Sequence, residues 1–207
     1  MRKILLTLAA VLAFTTAHAD ESHVLSYNYI GANYIDRESD PSRDGIEIDA
    51  ESDGYELEFS VDLGQSLYIF GSYSDEEVDA DFETSEGSGS INTIDANRGE
   101  LGLGYYRALS DAAHWNLAVS ALNEDADGAD DEWGARAATG FRVALGRNFE
   151  VRPAIGYNHY FDDDIDGTLT AGVDASLYLG RVAITAGYEW QDERDVQSIN
   201  AGLRIHF

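Results

Sequence analysis

The sequence predicts an all-β protein: a closed antiparallel up-and-down transmembrane β-barrel of ten strands. Three observations predict this fold. Apolar and polar residues alternate with a period of two along most of the chain, which is typical of strands with one apolar face. Short and long connections alternate strictly between these segments, and the charges lie on the polar face. A barrel of eight strands is the alternative.

Residues 1–19 are predicted to be an export signal that is not part of the fold. Two basic residues precede an apolar stretch over 4–14, and an A-x-A cleavage pattern follows at 17–19. The apolar stretch is too short for a membrane-spanning helix, which takes about 20 residues. We therefore expect cleavage and a single barrel domain over residues 20–207.

The composition excludes several classes of protein. The net charge is −26, with 39 acidic and 13 basic residues, so the chain lacks the basic clusters that nucleic-acid binding needs. The absence of cysteine excludes disulfide frameworks, iron–sulfur clusters and cysteine nucleophiles. Hydrophobic residues make up 44% of the chain, which disfavours disorder.

The clearest strand runs from Tyr55 to Leu63, where apolar residues alternate with Glu56, Glu58 and Asp62. Segments 25–36 and 67–74 alternate less cleanly, because both of their faces carry aromatic residues. The other predicted strands are 101–105, 115–119, 133–145, 149–157, 169–179, 182–190 and 199–207. Strands of about 9 to 11 residues cross a bilayer when they are tilted by about 45°.

The connections predict the orientation of the barrel. The short ones are 64–66, 108–114, 146–148 and 180–181. The long, acidic ones are 37–53, 75–97, 123–132, 162–166 and 191–195. Outer-membrane barrels have short periplasmic turns and longer extracellular loops, whereas soluble barrels place their apolar face inside.

Aromatic residues are predicted to form two belts. Trp133 and Trp190 fall at the extracellular ends of strands, and Trp115, Phe149 and Phe207 fall at the periplasmic ends. Such belts mark the two interfaces of a bilayer. A general preference of aromatic residues for strands is the alternative explanation.

The export signal, the alternating strands and the terminal sequence Leu203-Arg204-Ile205-His206-Phe207 resemble small bacterial outer-membrane barrels of the OmpA/OmpX transmembrane type. The tyrosine-rich stretches 26–30 and 67–73 resemble the smaller OmpA-like proteins of gamma-proteobacteria. The resemblance implies a Gram-negative outer membrane, lipid and lipopolysaccharide as surroundings, and Phe207 as a signal for the barrel assembly machinery. OmpA and OmpX types have eight strands, so their loop functions do not transfer.

The polar faces predict a network of ion pairs inside the barrel. The basic members are Arg136, Arg142, Arg152 and Arg204. The acidic members are Glu56, Glu58, Asp62, Glu100, Asp174 and Glu189. These side chains are long enough to bridge the space left by inward glycines and alanines, so we expect a plugged lumen.

Candidates for catalysis and metal binding are few. His159 lies near carboxylates at 162–164, but a solvated histidine at the rim is the favoured interpretation, because geometry and not sequence proximity makes a general base. Four aspartates in two acidic loops are weak candidates for binding divalent cations. They are Asp125, Asp127, Asp163 and Asp164. We expect neither enzymatic activity nor a cofactor.

The sequence therefore predicts an integral outer-membrane barrel with acidic extracellular loops and a structural or surface-interaction role. A small cation-preferring channel is the first alternative, and an outer-membrane enzyme is the second. The expected partners are lipid, lipopolysaccharide, the assembly machinery and divalent cations.

Overall fold

The computed structural model describes residues 24–39, 42–43, 46–84, 87–126, 128, 131–161, 167–192 and 196–207. The predicted export signal over 1–19 lies outside these residues. Within the described ranges, no helix is long and apolar enough to cross a membrane.

The chain forms a closed barrel of ten antiparallel strands. The elements are β1 (Tyr29–Ser39), β2 (Ser42–Arg43), β3 (Ile46–Gly64), β4 (Leu67–Thr84), β5 (Gly87–Ser110), β6 (Ala113–Ala126), β7 (Glu132–Ala144), β8 (Phe149–Tyr160), β9 (Thr168–Leu179), β10 (Val182–Gln191) and β11 (Val196–His206). The two-residue β2 pairs with β3 and is not a barrel strand. Because β1 pairs with both β3 and β11, the sheet closes on itself. The predicted ten strands are confirmed, and the alternative of eight is wrong.

The barrel is apolar outside and polar inside. Leu57, Leu103 and Leu177 point outward and keep 45%, 55% and 43% of their surface exposed. Ser60 and Ser176 point inward and are each 1% exposed. An apolar outer belt around a polar interior is the arrangement that lipid requires of a strand-built protein, because the closed ladder satisfies every strand's backbone internally.

The two ends of the barrel differ, and we name them by their connections. The turn end carries the short connections 65–66, 111–112, 145–148 and 180–181. The loop end carries the others. Gly180 has a φ of +71°, a conformation that favours glycine, and it allows β9 to turn directly into β10. Phe207 also lies at the turn end, where its N–H donates to the carbonyl of Asn28 at 3.3 Å.

Two segments that the sequence predicted as loops are mostly strand. The segments 37–53 and 75–97 lie largely within β3, β4 and β5, which are 19, 18 and 24 residues long. These strands continue past the apolar belt, where acidic residues replace apolar ones on the outer face. The hydrophobic alternation that marks a strand is therefore missing, although the ladder of backbone hydrogen bonds continues.

This extension aligns like charges in a row across four strands, which we call the acidic row. Asp36 pairs in register with Asp53, Asp53 with Glu77, and Glu77 with Asp95. All four side chains are exposed on the outer face. Like charges directly opposite each other destabilise a sheet, so the acidic row opposes the pairing that holds it together.

Candidate functional site

The candidate functional site is the lumen, where every second strand residue points inward. At the turn end, residues 24–28 enter the barrel ahead of β1. Leu25 and Tyr27 are buried there, at 8% and 5% exposure. We call this group the turn-end plug: residues 24–28 together with Arg142 and Glu150.

Arg142 and Glu150 form the centre of the turn-end plug. Arg142 Nε donates to Glu150 Oε1 at 2.7 Å and its Nη2 donates to Oε2 at 2.9 Å. The two side chains are 4% and 0% exposed. A bidentate pair of this kind is strong and directional, and β7 and β8 carry both partners as neighbouring strands.

The same pair holds the N-terminal segment. The N–H of Leu25 donates to Glu150 Oε2 at 3.0 Å, and Arg142 Nη1 donates to the carbonyl of Ser26 at 2.9 Å. Tyr178 donates its hydroxyl hydrogen to Glu150 Oε2 at 2.8 Å. The backbone of residues 24–28 is therefore fixed by charged groups from the barrel wall.

Aromatic rings of the barrel wall pack against Tyr27 of the turn-end plug. The Tyr27 ring lies 4.3 Å from the ring of Tyr106 at an interplanar angle of 12°, and 4.6 Å from the ring of Tyr68. The Arg142 guanidinium lies 4.3 Å above Tyr27. Gly104 leaves room for Tyr68, because a Cβ at that position would overlap the Tyr68 ring. The space left by this inward glycine is filled by an aromatic ring.

Ion pairs line the middle of the lumen. Arg204 donates to Glu58 through Nε at 2.5 Å and Nη2 at 2.9 Å. Arg152 lies 3.4 Å from Asp174 and 3.8 Å from Glu150, so it links this layer to the turn-end plug.

A third layer lies toward the loop end. Arg136 pairs with Glu189 at 2.7 Å. Glu76, which is 1% exposed, lies between Arg37 at 3.3 Å and Arg98 at 4.0 Å. The buried Glu76 carboxylate thus interacts with two guanidinium groups.

All ten residues of the predicted network lie on inward-facing positions, and the structure brings some of them together. Three predicted arginines contact predicted carboxylates, in the pairs Arg136–Glu189, Arg152–Asp174 and Arg204–Glu58. Arg142 contacts Glu150, which is not a member of the predicted network.

The three other predicted carboxylates accept hydrogen bonds from neutral donors. Glu56 accepts from Asn33 Nδ2 at 2.9 Å, Asp62 from the Tyr106 hydroxyl at 2.9 Å, and Glu100 from Ser120 Oγ at 2.5 Å. The side chains that donate to these three carboxylates are thus uncharged.

Sequence reasoning missed Glu150, Glu76 and the aromatic stack. Glu150 could have been found, because it lies on the same polar face as Arg152, near the start of the strand that follows Arg142. Glu76 lies in a segment predicted as a loop. Tyr27 lies in the predicted strand 25–36, but β1 begins only at Tyr29, so the start of that prediction is wrong. Because both faces of the segment carry aromatic residues, its alternation did not show which way Tyr27 points.

Two adjoining cavities lie in the lumen above the turn-end plug. One has a volume of about 250 Å³ and lies toward the loop end; the other has a volume of about 190 Å³ and reaches Arg204. Glu56, Ser72 and Glu100 line both of them. A polar space therefore runs from the loop end to the middle layer of ion pairs.

The residues considered for catalysis or metal binding lie elsewhere. His159 is exposed on the outer face, where its ring packs edge-on against Phe161 at 5.9 Å. Asp125 lies on β6, whereas Asp127, Asp163 and Asp164 lie outside the described residues. In the part of the chain that the structure describes, no group of three or more histidine or acidic residues could hold a metal ion.

Comparison with known proteins connects the chain to outer-membrane barrels through its fold. No family model matches the sequence, and no curated protein matches it. Among solved structures, the translocator domain of the autotransporter NalP from Neisseria meningitidis aligns with a TM-score of 0.57 and 10% identity, over 100% of this chain and 96% of that one.

Two further structures align over similar lengths. The β domain of the Bordetella autotransporter BrkA aligns with a TM-score of 0.58 and 13% identity, over 88% of this chain and 100% of that one. An outer-membrane channel from Pseudomonas putida F1 aligns with a TM-score of 0.53 and 12% identity, over 92% of this chain and 100% of that one. The chain therefore has the fold of an outer-membrane β-barrel, and the finer likeness to OmpA/OmpX types stays a prediction.

Proposed function

We propose that this protein is an integral barrel of a Gram-negative outer membrane with a closed lumen and a structural or surface-interaction role, and that it is not an enzyme. One observation carries the proposal. The buried Arg142–Glu150 pair fixes residues 24–28 inside the turn end of the barrel.

Closure follows from the energetics of that end. An ion moving through the lumen would have to displace Tyr27 from its stack or separate a buried, bidentate pair. Separating such a pair leaves an uncompensated buried charge, which is strongly unfavourable. The turn-end plug therefore keeps the lumen closed to ions.

The outer surface supports a role in surface interactions. The strands β3, β4 and β5 rise beyond the apolar belt and present the acidic row to the outside. A surface with this density of negative charge attracts divalent cations, which can bridge it to the anionic groups of neighbouring lipopolysaccharide. Lipid, lipopolysaccharide and divalent cations are thus the partners that we propose.

A planar-bilayer recording tests the closed lumen. Refolded residues 20–207 should insert into the bilayer without producing discrete current steps. Insertion is established separately, by resistance of the inserted protein to extraction with carbonate.

A small cation-preferring channel is the second candidate, and the two adjoining polar cavities favour it. Wild-type protein that gives discrete, cation-selective current steps would support this candidate and overturn the closed lumen.

A further inference from the structure

At the loop end, β5 has a strand edge that no described residue covers. β5 begins at Gly87, whereas its pairing with β6 begins only at Ala96, which lies opposite Ala126. Over residues 87–95 the backbone pairs with β4 on one side, and within the described ranges no strand pairs with it on the other. We call this the free edge of β5. Such an edge presents unpaired N–H and C=O groups, to which an extended peptide can add as a further strand.

A bulge divides the free edge but does not cover it. Asn92 and Thr93 together lie opposite Asp79, where the register between β4 and β5 shifts by one residue. The N–H and the hydroxyl of Thr93 both donate to Asp79 Oδ1, at 2.8 Å and 3.0 Å. The five residues 87–91 lie beyond the bulge and pair regularly with β4. Five residues are a common length for a strand, so this segment can hold one short partner strand.

The part of the sheet that carries the free edge is apolar inside and acidic outside, which reverses the arrangement of the barrel wall below it. Val78 and Ala80 follow the buried Glu76 at alternate positions on the inner side, and Ile94 lies opposite Val78. These three apolar side chains are half-buried, whereas Glu77 is exposed on the outer side as part of the acidic row. A cluster of apolar side chains therefore ends at the free edge, next to a surface of carboxylates.

The two faces determine which kind of strand fits beside the free edge. Side chains directly opposite each other on neighbouring strands have their Cβ atoms about 4.5–5.5 Å apart. A strand beside β5 places alternate side chains next to Asp95 on the outer face and next to Ile94 on the inner face. Basic side chains pair with the carboxylates outside, and apolar side chains enlarge the cluster inside. Edge-to-edge pairing with a second copy does not supply this pattern, because residues 87–95 include no lysine or arginine.

We propose that the free edge of β5 binds an extended segment of a partner protein in which basic and apolar residues alternate. The segment pairs with residues 87–91 through backbone hydrogen bonds, and its two faces continue the apolar cluster and neutralise the outer carboxylates. This inference deepens the surface-interaction role proposed above and rests on it, because a partner reaches the free edge only if the loop end faces the outside of the cell.

Fluorescence anisotropy with a labelled seven-residue peptide of alternating lysine and valine tests the proposal. The peptide is titrated with refolded residues 20–207 in detergent at about 0.15 M salt, where exposed charges are largely screened beyond about 8 Å. We expect saturable binding of one peptide per barrel. A peptide of the same composition, with four lysines followed by three valines, carries the same charge without the alternation and should bind at least tenfold more weakly.

A shortened hairpin removes the free edge from the protein. Ala80 and Ile91 lie opposite each other, so replacing residues 81–90 by Asn-Gly joins them through a two-residue hairpin turn. This variant keeps the ten barrel strands and should bind the alternating peptide at least tenfold more weakly than the wild type.

The matched control removes charge and keeps the free edge. The shortened hairpin loses three carboxylates, and the triple variant Glu47→Gln with Asp49→Asn and Glu51→Gln removes three from β3 instead. The triple variant should bind the alternating peptide within threefold of the wild type. Thermal unfolding establishes that both variants are folded.

The proposal is overturned if the folded wild type shows no saturable binding, if the peptide with grouped lysines binds as tightly as the alternating one, or if the shortened hairpin and the triple variant bind equally. The bilayer recording tests the closed lumen without involving the free edge, so the failure of one proposal is distinguishable from the failure of the other.

Discussion

At the scale of single residues, the Arg142–Glu150 pair is the most consequential contact in the lumen. The Arg142→Ala variant leaves Glu150 buried without its partner and should lower the free energy of unfolding by about 3–5 kcal/mol. Urea unfolding of the refolded protein in detergent measures this change. Arg107→Ala, at an exposed outward position, is the control and should change stability by less than about 0.5 kcal/mol. Equal losses in the two variants would contradict the structural role of the pair.

The apolar belt makes a second prediction at this scale. Leu103 is 55% exposed on the outer face, so Leu103→Arg should destabilise the inserted protein by about 2–4 kcal/mol if that residue lies at the midplane. Leu109, which is 57% exposed and next to a turn, should tolerate arginine at a cost of about 0–1 kcal/mol. Unfolding in lipid vesicles compares the two, and a larger cost at Leu109 would contradict the placement of Leu103 deeper in the apolar belt than Leu109.

The interior positions show what residue-level prediction can and cannot do. Alternation alone places Arg142 and Arg204 on the inner face, because strand geometry fixes sidedness. Alternation does not show which carboxylate each arginine pairs with, because the register of the strands around the closed barrel determines those pairs. It also suggests free space at Gly104, whereas the Tyr68 ring occupies that space. Arginine at Gly104 is therefore expected to be disruptive too, because the Tyr68 ring occupies the space that its side chain would need.

At the scale of strands, the acidic row across β1, β3, β4 and β5 predicts stabilisation by neutralisation. Glu77 lies between Asp53 and Asp95, so Glu77→Gln removes two unfavourable cross-strand pairs and should raise the free energy of unfolding by about 0.2–1 kcal/mol for each pair. Unfolding at low ionic strength measures the gain, which should shrink as salt is added.

Asp111 provides the control for this prediction. It lies exposed in the turn between β5 and β6, outside the paired strand positions where the acidic row lies. The Asp111→Asn variant should therefore leave stability nearly unchanged. A gain at Asp111 equal to that at Glu77 would point to net charge alone and would contradict the role of the acidic row.

The strands also show why some element boundaries were predictable and others were not. The turn end was predicted closely, because glycines such as Gly180 interrupt apolar alternation there. The long hairpins were not, because β3, β4 and β5 continue through acidic sequence whose strand propensity is low. Pairing with neighbouring strands overrides that propensity once the barrel has formed.

At the scale of the whole molecule, closure of the sheet explains why the fold could be predicted from the sequence alone. Strands that place charged residues on the inner face and apolar residues on the outer face can form few stable folds. A closed barrel in lipid is the one that leaves no strand edge unpaired. The contents of the lumen are a different matter. They depend on residues 24–28. The sequence predicts a strand from residue 25, whereas β1 begins at Tyr29 and the apolar side chains of Leu25 and Tyr27 are buried inside the barrel.

The central claim is that residues 24–28 close the barrel at its turn end, and paired single-channel recordings test it most directly. Three refolded chains are compared: residues 20–207, a chain lacking 20–23, and a chain lacking 20–27. Removing 20–23 leaves Leu25 and Tyr27 in place and should leave the barrel silent, whereas removing 20–27 empties the space beside Tyr106 and Glu150 and should produce discrete current steps. Steps of equal size and frequency from all three chains would contradict the account.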